Sequence, residues 1–200
     1  MDTVIGFAGK DYVLIACDTA AARSVVVMKG DQDKIMHLDP HKLLGLSGEN
    51  SDAVQFSEYI QKNLNLYTLR HDITLNTKAA AAFTRGELAK ALRQHPYQVN
   101  CLLGGWDKEE GPQLYFIDYL ASMHTMYKAA HGYGAYFTLS VMDRHWKPNM
   151  TIDEGIQLIG KCFYELNTRF TINYPGYIVK VVDANGIRII EPDKIPVGPA

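Results

Sequence analysis

The sequence predicts an α+β fold, and three observations carry that prediction. Short apolar, β-prone runs open the chain, return in its middle and close it. Between them lie segments whose apolar residues fall three to four apart, the period of an amphipathic helix. The resulting order is strands, two helices, strands, two helices, strands. It groups like elements together, whereas a doubly wound sheet would alternate them.

Residues 4–7 and 13–17 are apolar runs separated by Gly9-Lys10-Asp11, which reads as a hairpin. Residues 25–28, 34–38 and 43–46 continue the strand-and-turn rhythm. Ser51 is expected to cap a first helix through Val54, Ile60, Leu64 and Leu66. Asn76 or Thr77 is expected to cap a second, alanine-rich helix through Phe83, Leu88 and Leu92. After Pro96, residues 99–103 and 114–117 read as strands flanking 107–112, a charged Gly/Pro segment suited to a hairpin loop. A third helix is expected over 134–142. The fourth has the clearest start signal: Thr151-Ile152-Asp153-Glu154 is a capping box, with Ile156, Ile159, Phe163 and Leu166 on one face. Residues 176–182 and 187–190, joined through an Asn185-Gly186 turn, form a closing hairpin. The tail from about 192 to 200 has three prolines and no helical period. It is expected either to lie extended along a neighbour or to be disordered.

A chain of 200 residues most economically forms one domain, here 1–200. A net charge of −2 gives no pull toward nucleic acid or an anionic membrane. Cys17, Cys101 and Cys162 are an odd number in two expected strands and a helix, so they read as buried reduced thiols. No basic segment leads into an apolar stretch at the start, and no apolar run approaches the roughly 18 residues of a membrane span. A soluble protein of cytoplasm and nucleus is expected.

The first 34 residues carry the most chemistry. Met1-Asp2-Thr3-Val4-Ile5-Gly6-Phe7 leads into Lys10-Asp11, then Ala16-Cys17-Asp18-Thr19 and Asp33-Lys34. Ser47-Gly48-Glu49, Leu103-Gly104-Gly105-Trp106-Asp107 and Ala130-His131-Gly132-Tyr133-Gly134 extend the pattern. Together these segments resemble a proteasome beta subunit, a member of the N-terminal-nucleophile hydrolase superfamily. The resemblance covers nearly the whole chain and implies a four-layer α-β-β-α sandwich. In active members an N-terminal threonine hydroxyl attacks the peptide carbonyl, its own amine takes the proton, and an aspartate and a lysine set the charge. Asp18 and Lys34 fall where that aspartate and lysine belong, while Asp2 falls at the nucleophile position.

An aspartate cannot act as the threonine does. Thr3 is the nearby alternative, but trimming to it would place the nucleophile one residue late. That shift moves the chain about 3.3 Å and turns the side chain to the opposite face. Other expected parts are missing: Tyr133 stands where a supporting serine belongs, and Arg169-Phe170-Thr171-Ile172-Asn173 lacks an aspartate and a serine. The resemblance therefore implies a non-catalytic structural subunit of the 20S core beta ring. The alternative is an active threonine peptidase trimmed to Thr3. Asp18 and Lys34 then read as a retained ion pair between strands, a live charge relay, or, for Lys34, a solvent-facing residue.

No cofactor and no metal is expected. The resemblance implies partners in the same beta ring, across the ring–ring interface and in the alpha ring, together with assembly chaperones, and no nucleic acid or membrane. His37 and His41 have a zinc-like helical spacing, but Pro40 argues against a helix, so they read as surface or turn histidines. Gly132-Tyr133-Gly134 lacks the third glycine of a dinucleotide fingerprint, and no strand is expected before it. Cys17 beside Asp18 could be a thiol nucleophile; inside an apolar strand it reads as packing.

Overall fold

The computed structural model describes residues 2–23, 26–172 and 174–198, with the side chain of residue 23 excepted. β1 (Thr3–Ala8) and β2 (Tyr12–Asp18) pair antiparallel across the turn at 9–11, and every residue of both is buried. Strands covered on both faces need apolar residues at every position, which is why these runs show no polar alternation. β3 (Ala21–Arg23) and β4 (Val26–Lys29) form a separate small hairpin that exposes Val26, Val27 and Met28. Val25, placed by the sequence in a strand, lies outside the described residues.

β5 (Ile35–Asp39) and β6 (Lys42–Gly48) lead to α1 (Asn50–His71) and α2 (Thr77–Ala91). β7 (Val99–Asp107), β8 (Gly111–Ile117), β9 (Met123–Met126) and β10 (Lys128–Gly132) follow. α3 (Ala135–His145) and α4 (Ile152–Arg169) precede the closing hairpin of β11 (Tyr177–Asp183) and β12 (Gly186–Ile190). A 3-10 turn, Pro192–Lys194, ends the described regular structure.

The strands form two five-stranded antiparallel sheets, ordered β10-β1-β2-β11-β12 and β5-β6-β7-β8-β9. Three apolar layers hold them. Ile5, Phe7, Leu14 and Phe163 belong to the layer between the first sheet and α3–α4. Leu44, Phe56, Leu88 and Leu103 belong to the one between the second sheet and α1–α2. Val4, Val13, Ile15, Leu43 and Leu102 fill the space between the sheets. The architecture is the expected α-β-β-α sandwich. The sheets meet closely at Gly104, where a Cβ would lie 2.7 Å from Val13 Cγ1.

Several local expectations need correction. Ser51 lies inside the first turn of α1, whose N-cap is Glu49; the Glu49 N–H is held by the Gln98 carbonyl (2.8 Å). Lys128–Gly132 is a strand although none was expected before Gly132-Tyr133-Gly134, and β3 and β9 were likewise not anticipated. The loop placed at 107–112 shrinks to 108–110, because Trp106 pairs with Pro112 and Asp107 with Gly111. In the closing hairpin Asp183 pairs with Gly186, so residues 184 and 185 make the turn. By contrast, Asn76 caps α2 through the Ala79 N–H, and the Thr151–Glu154 capping box is present. Beyond β12, Ile195 is buried against the α4 layer, and the Pro196 carbonyl sits where a Cβ on Gly160 would meet it at 2.1 Å. Residues 199 and 200 of the tail lie outside the described residues.

His131 of β10 pins the two sheets. Its Nε2 donates to the Cys101 carbonyl of β7 at 3.1 Å, and its ring stacks on Phe116 with centroids 4.1 Å apart. Burial pushes its pKa from 6.5 down to about 4. The folded chain therefore keeps the ring neutral, while the unfolded chain takes up a proton below about 6.5. Stability from this group is full above that value and is lost as the pH falls toward 4, by at most about 3 kcal/mol. The expected outcome is a thermal midpoint that drops across this window, with a smaller drop in His131→Gln. Equal drops in both proteins would contradict it.

Candidate functional site

Segments at the ends of β1, β2, β5 and β6 meet around one ammonium group. The Lys34 Nζ, just ahead of β5, donates to Asp2 Oδ1 at 2.7 Å and to Asp18 Oδ2 at 2.8 Å. Asp18, at the end of β2, also accepts the Thr3 N–H at Oδ1 (2.7 Å) and the Ala20 N–H at Oδ2 (2.9 Å). Asp2, ahead of β1, accepts the Gly48 N–H at Oδ2 (3.0 Å) from the end of β6. The cluster thus ties the first sheet to the second. The Lys34 and Asp18 side chains are 4% and 0% exposed, whereas Asp2 is 17% exposed.

The electrostatics follow from burial and pairing. Burial alone disfavours the Lys34 ammonium, but the Asp18 and Asp2 carboxylates and their hydrogen bonds lift its pKa above the ordinary lysine value. Lys34 is therefore charged. Burial pushes Asp18 up, and Lys34 and the Thr3 N–H work against that shift. An ion pair hydrogen-bonded this fully is stable as a unit and costly to break from one side.

Thr3 points elsewhere. Successive side chains on a strand face opposite sides, and the buried Thr3 hydroxyl bonds the Tyr174 hydroxyl at 2.9 Å. It packs on the start of α3, where a Cβ on Gly134 would meet Oγ1 at 2.2 Å. The structure thus brings Asp2, Asp18 and Lys34 together and turns the Thr3 hydroxyl toward a different layer. Tyr133 is 56% exposed and stacks toward Phe170 with centroids 6.4 Å apart. In the 169–173 stretch, Asn173 lies outside the described residues.

A cavity of about 420 Å³ opens beside the cluster, bordered by Asp2, Lys34 and Gly48 and walled by Met36, Ala53 and Val54. At its floor Lys180 of β11, 4% exposed, donates to Asp33 Oδ2 and to the Ile35 carbonyl (2.7 Å). Sequence reasoning missed Lys180, Tyr174 and the Gly48 N–H. Lys180 left a trace: it is a charge inside the apolar run Ile178-Val179-Lys180-Val181-Val182, where only a paired ammonium is tolerable.

The weaker candidates take ordinary places. Cys17 packs between the sheets, and burial pushes its thiol up to about 12, far from a thiolate. Cys101 and Cys162 are also buried free thiols. His37 lines the cavity from β5, whereas the His41 ring faces Trp106 with centroids 6.1 Å apart. Among the described residues, no three His, Cys, Asp or Glu side chains are grouped to hold a metal ion. No helix among them is long and apolar enough to cross a membrane.

Comparison with known proteins agrees with this frame. The family described as "Proteasome subunit" matches residues 1–182. Proteasome subunit beta type-2-B of Arabidopsis thaliana is 50% identical, over 94% of this chain and 94% of its own length. Proteasome subunit beta type-2 of Oryza sativa subsp. japonica is 50% identical, over 94% of this chain and 89% of its own. Proteasome subunit beta type-4 of Saccharomyces cerevisiae is 44% identical, over 96% of this chain and 98% of its own. A four-layer sandwich with an aspartate and a lysine meeting at the start of its first strand, and sequence likeness along nearly the whole chain, place it in the proteasome beta-subunit family.

Proposed function

We propose that this chain is a non-catalytic structural subunit of the 20S proteasome core, closing a beta ring without hydrolysing peptides itself. The observation that carries the reading is the identity of the group on Lys34: a carboxylate of Asp2, with no hydroxyl of Thr3 in its place. A carboxylate already engaged by an ammonium and a backbone N–H is a poor nucleophile. Trimming to Thr3 would leave the new amine against Asp18 Oδ1 but keep the hydroxyl on Tyr174, in another layer from Lys34. Neighbouring beta subunits, the opposite beta ring, the alpha ring and assembly chaperones are the partners in this reading, in cytoplasm and nucleus. Exposed Tyr127, Tyr136 and Leu69 are residue types suited to such contacts.

The direct test is native mass spectrometry of the endogenous particle after treatment with an electrophilic proteasome inhibitor. The expected outcome is a very large assembly that releases this chain with Asp2 present and without adduct. A chain beginning at Thr3 and carrying the inhibitor would contradict the reading. A second prediction concerns Lys34. Replacing it with Met leaves the buried Asp18 carboxylate without its counter-ion, which costs about 3–5 kcal/mol. Lys34→Met should incorporate poorly and melt early, while peptidase activity per assembled particle stays unchanged. Normal incorporation with lost peptidase activity would show that Lys34 works in catalysis.

A further inference from the structure

Two donors in the site are held in place without help from Asp2. The Lys34 ammonium is fixed by Asp18, a fully buried carboxylate that is itself anchored by two backbone N–H groups. The Gly48 N–H is fixed by the end of the β6–β7 ladder, where Gly48 pairs with Val99. Gly48 has φ +142, and a Cβ there would lie 2.1 Å from the Gln98 carbonyl oxygen, so the backbone conformation that aims this N–H demands glycine. An ammonium and a rigid backbone N–H facing the same carboxylate make a preorganised anion site of the oxyanion-binding kind. Its present occupant is tethered: one Asp2 oxygen sits on each donor.

We propose that Asp2 is a built-in anionic plug, filling a site that otherwise binds a small monovalent anion, halide or carboxylate, at the edge of the 420 Å³ cavity. This deepens the non-catalytic reading and rests on it, because a live nucleophile would need the same donors free. Charge fits the assignment. With Asp2 in place, two carboxylates face one ammonium; without it, Lys34 and Asp18 form a neutral pair, and one incoming monovalent anion restores the original balance. The plug also has a steric part, since an external carboxylate or a peptide carbonyl reaching for Lys34 or Gly48 meets the Asp2 oxygens first. Being covalently attached, Asp2 loses little entropy on binding, so free anions at ordinary concentration do not displace it.

The test uses assembled particles carrying Asp2→Ala, crystallised and soaked in bromide, with wild-type particles treated identically. The expected result is an anomalous bromide peak within hydrogen-bonding distance of both Lys34 Nζ and the Gly48 N–H in the variant, and its complete loss in wild type. An empty site in a well-ordered variant chain would overturn the proposal, as would an equal peak in wild type. If Asp2→Ala does not incorporate, Asp2→Ser leaves similar room and is read by the same criterion. The inhibitor-labelling experiment on wild type reads independently of this one. An unlabelled chain with an empty variant site sinks the plug alone, whereas a labelled Thr3 sinks the reading beneath it.

Discussion

The Lys34 ammonium, held between Asp2 and Asp18, fixes where the first strand begins, and much of the sandwich is built on that strand. β1 lies between β10 and β2 and sends Val4 into the space between the sheets and Ile5 toward the helices. A slip of one residue would exchange those faces, placing Thr3 where an apolar side chain packs. The Thr3 N–H on Asp18 and the Asp2 carboxylate on Lys34 hold this register at the end of the strand away from the β1–β2 turn. Because Lys34 lies just ahead of β5 and Gly48 ends β6, the same contacts also link the two sheets.

Such a cluster is costly to take apart. Once Asp18 and Lys34 are buried together, removing either one strands the other at a cost of several kcal/mol. The fold alone therefore gives Asp18 and Lys34 a reason to occur together. Lys180 shows the same logic nearby, carrying a buried charge from β11 to Asp33 and the Ile35 carbonyl. Both lysines sit in the seam between the sheets, where a charge with no fixed partner would be far more costly than in water.

The sequence was most legible where local signals and tertiary structure agree. Thr151 and Glu154 cap α4 by contacts within one turn, and β1 and β2 are apolar at nearly every position because both faces are covered. It was least legible where pairing is imposed from afar. β9 and β10, Met-His-Thr-Met and Lys-Ala-Ala-His-Gly, have little β propensity of their own; β10 exists because residues 3–7 offer it an edge. Ser51 had the right chemistry for a cap, but the chain entering α1 is held two residues earlier, at Glu49, by the Gln98 carbonyl. In the site, Asp2, Asp18 and Lys34 came from family spacing. The Gly48 N–H and the Tyr174 hydroxyl could not be read, since they reach the site from 46 and 171 residues away along the chain.

The position of the Asp2 carboxylate decides the matter, and a high-resolution cryo-EM map of the assembled wild-type particle measures it directly. The expected map shows continuous side-chain density for Asp2 bridging Lys34 Nζ and the Gly48 N–H, with the Thr3 hydroxyl on Tyr174. Density that turns Asp2 into solvent and brings the Thr3 hydroxyl onto Lys34 would contradict it.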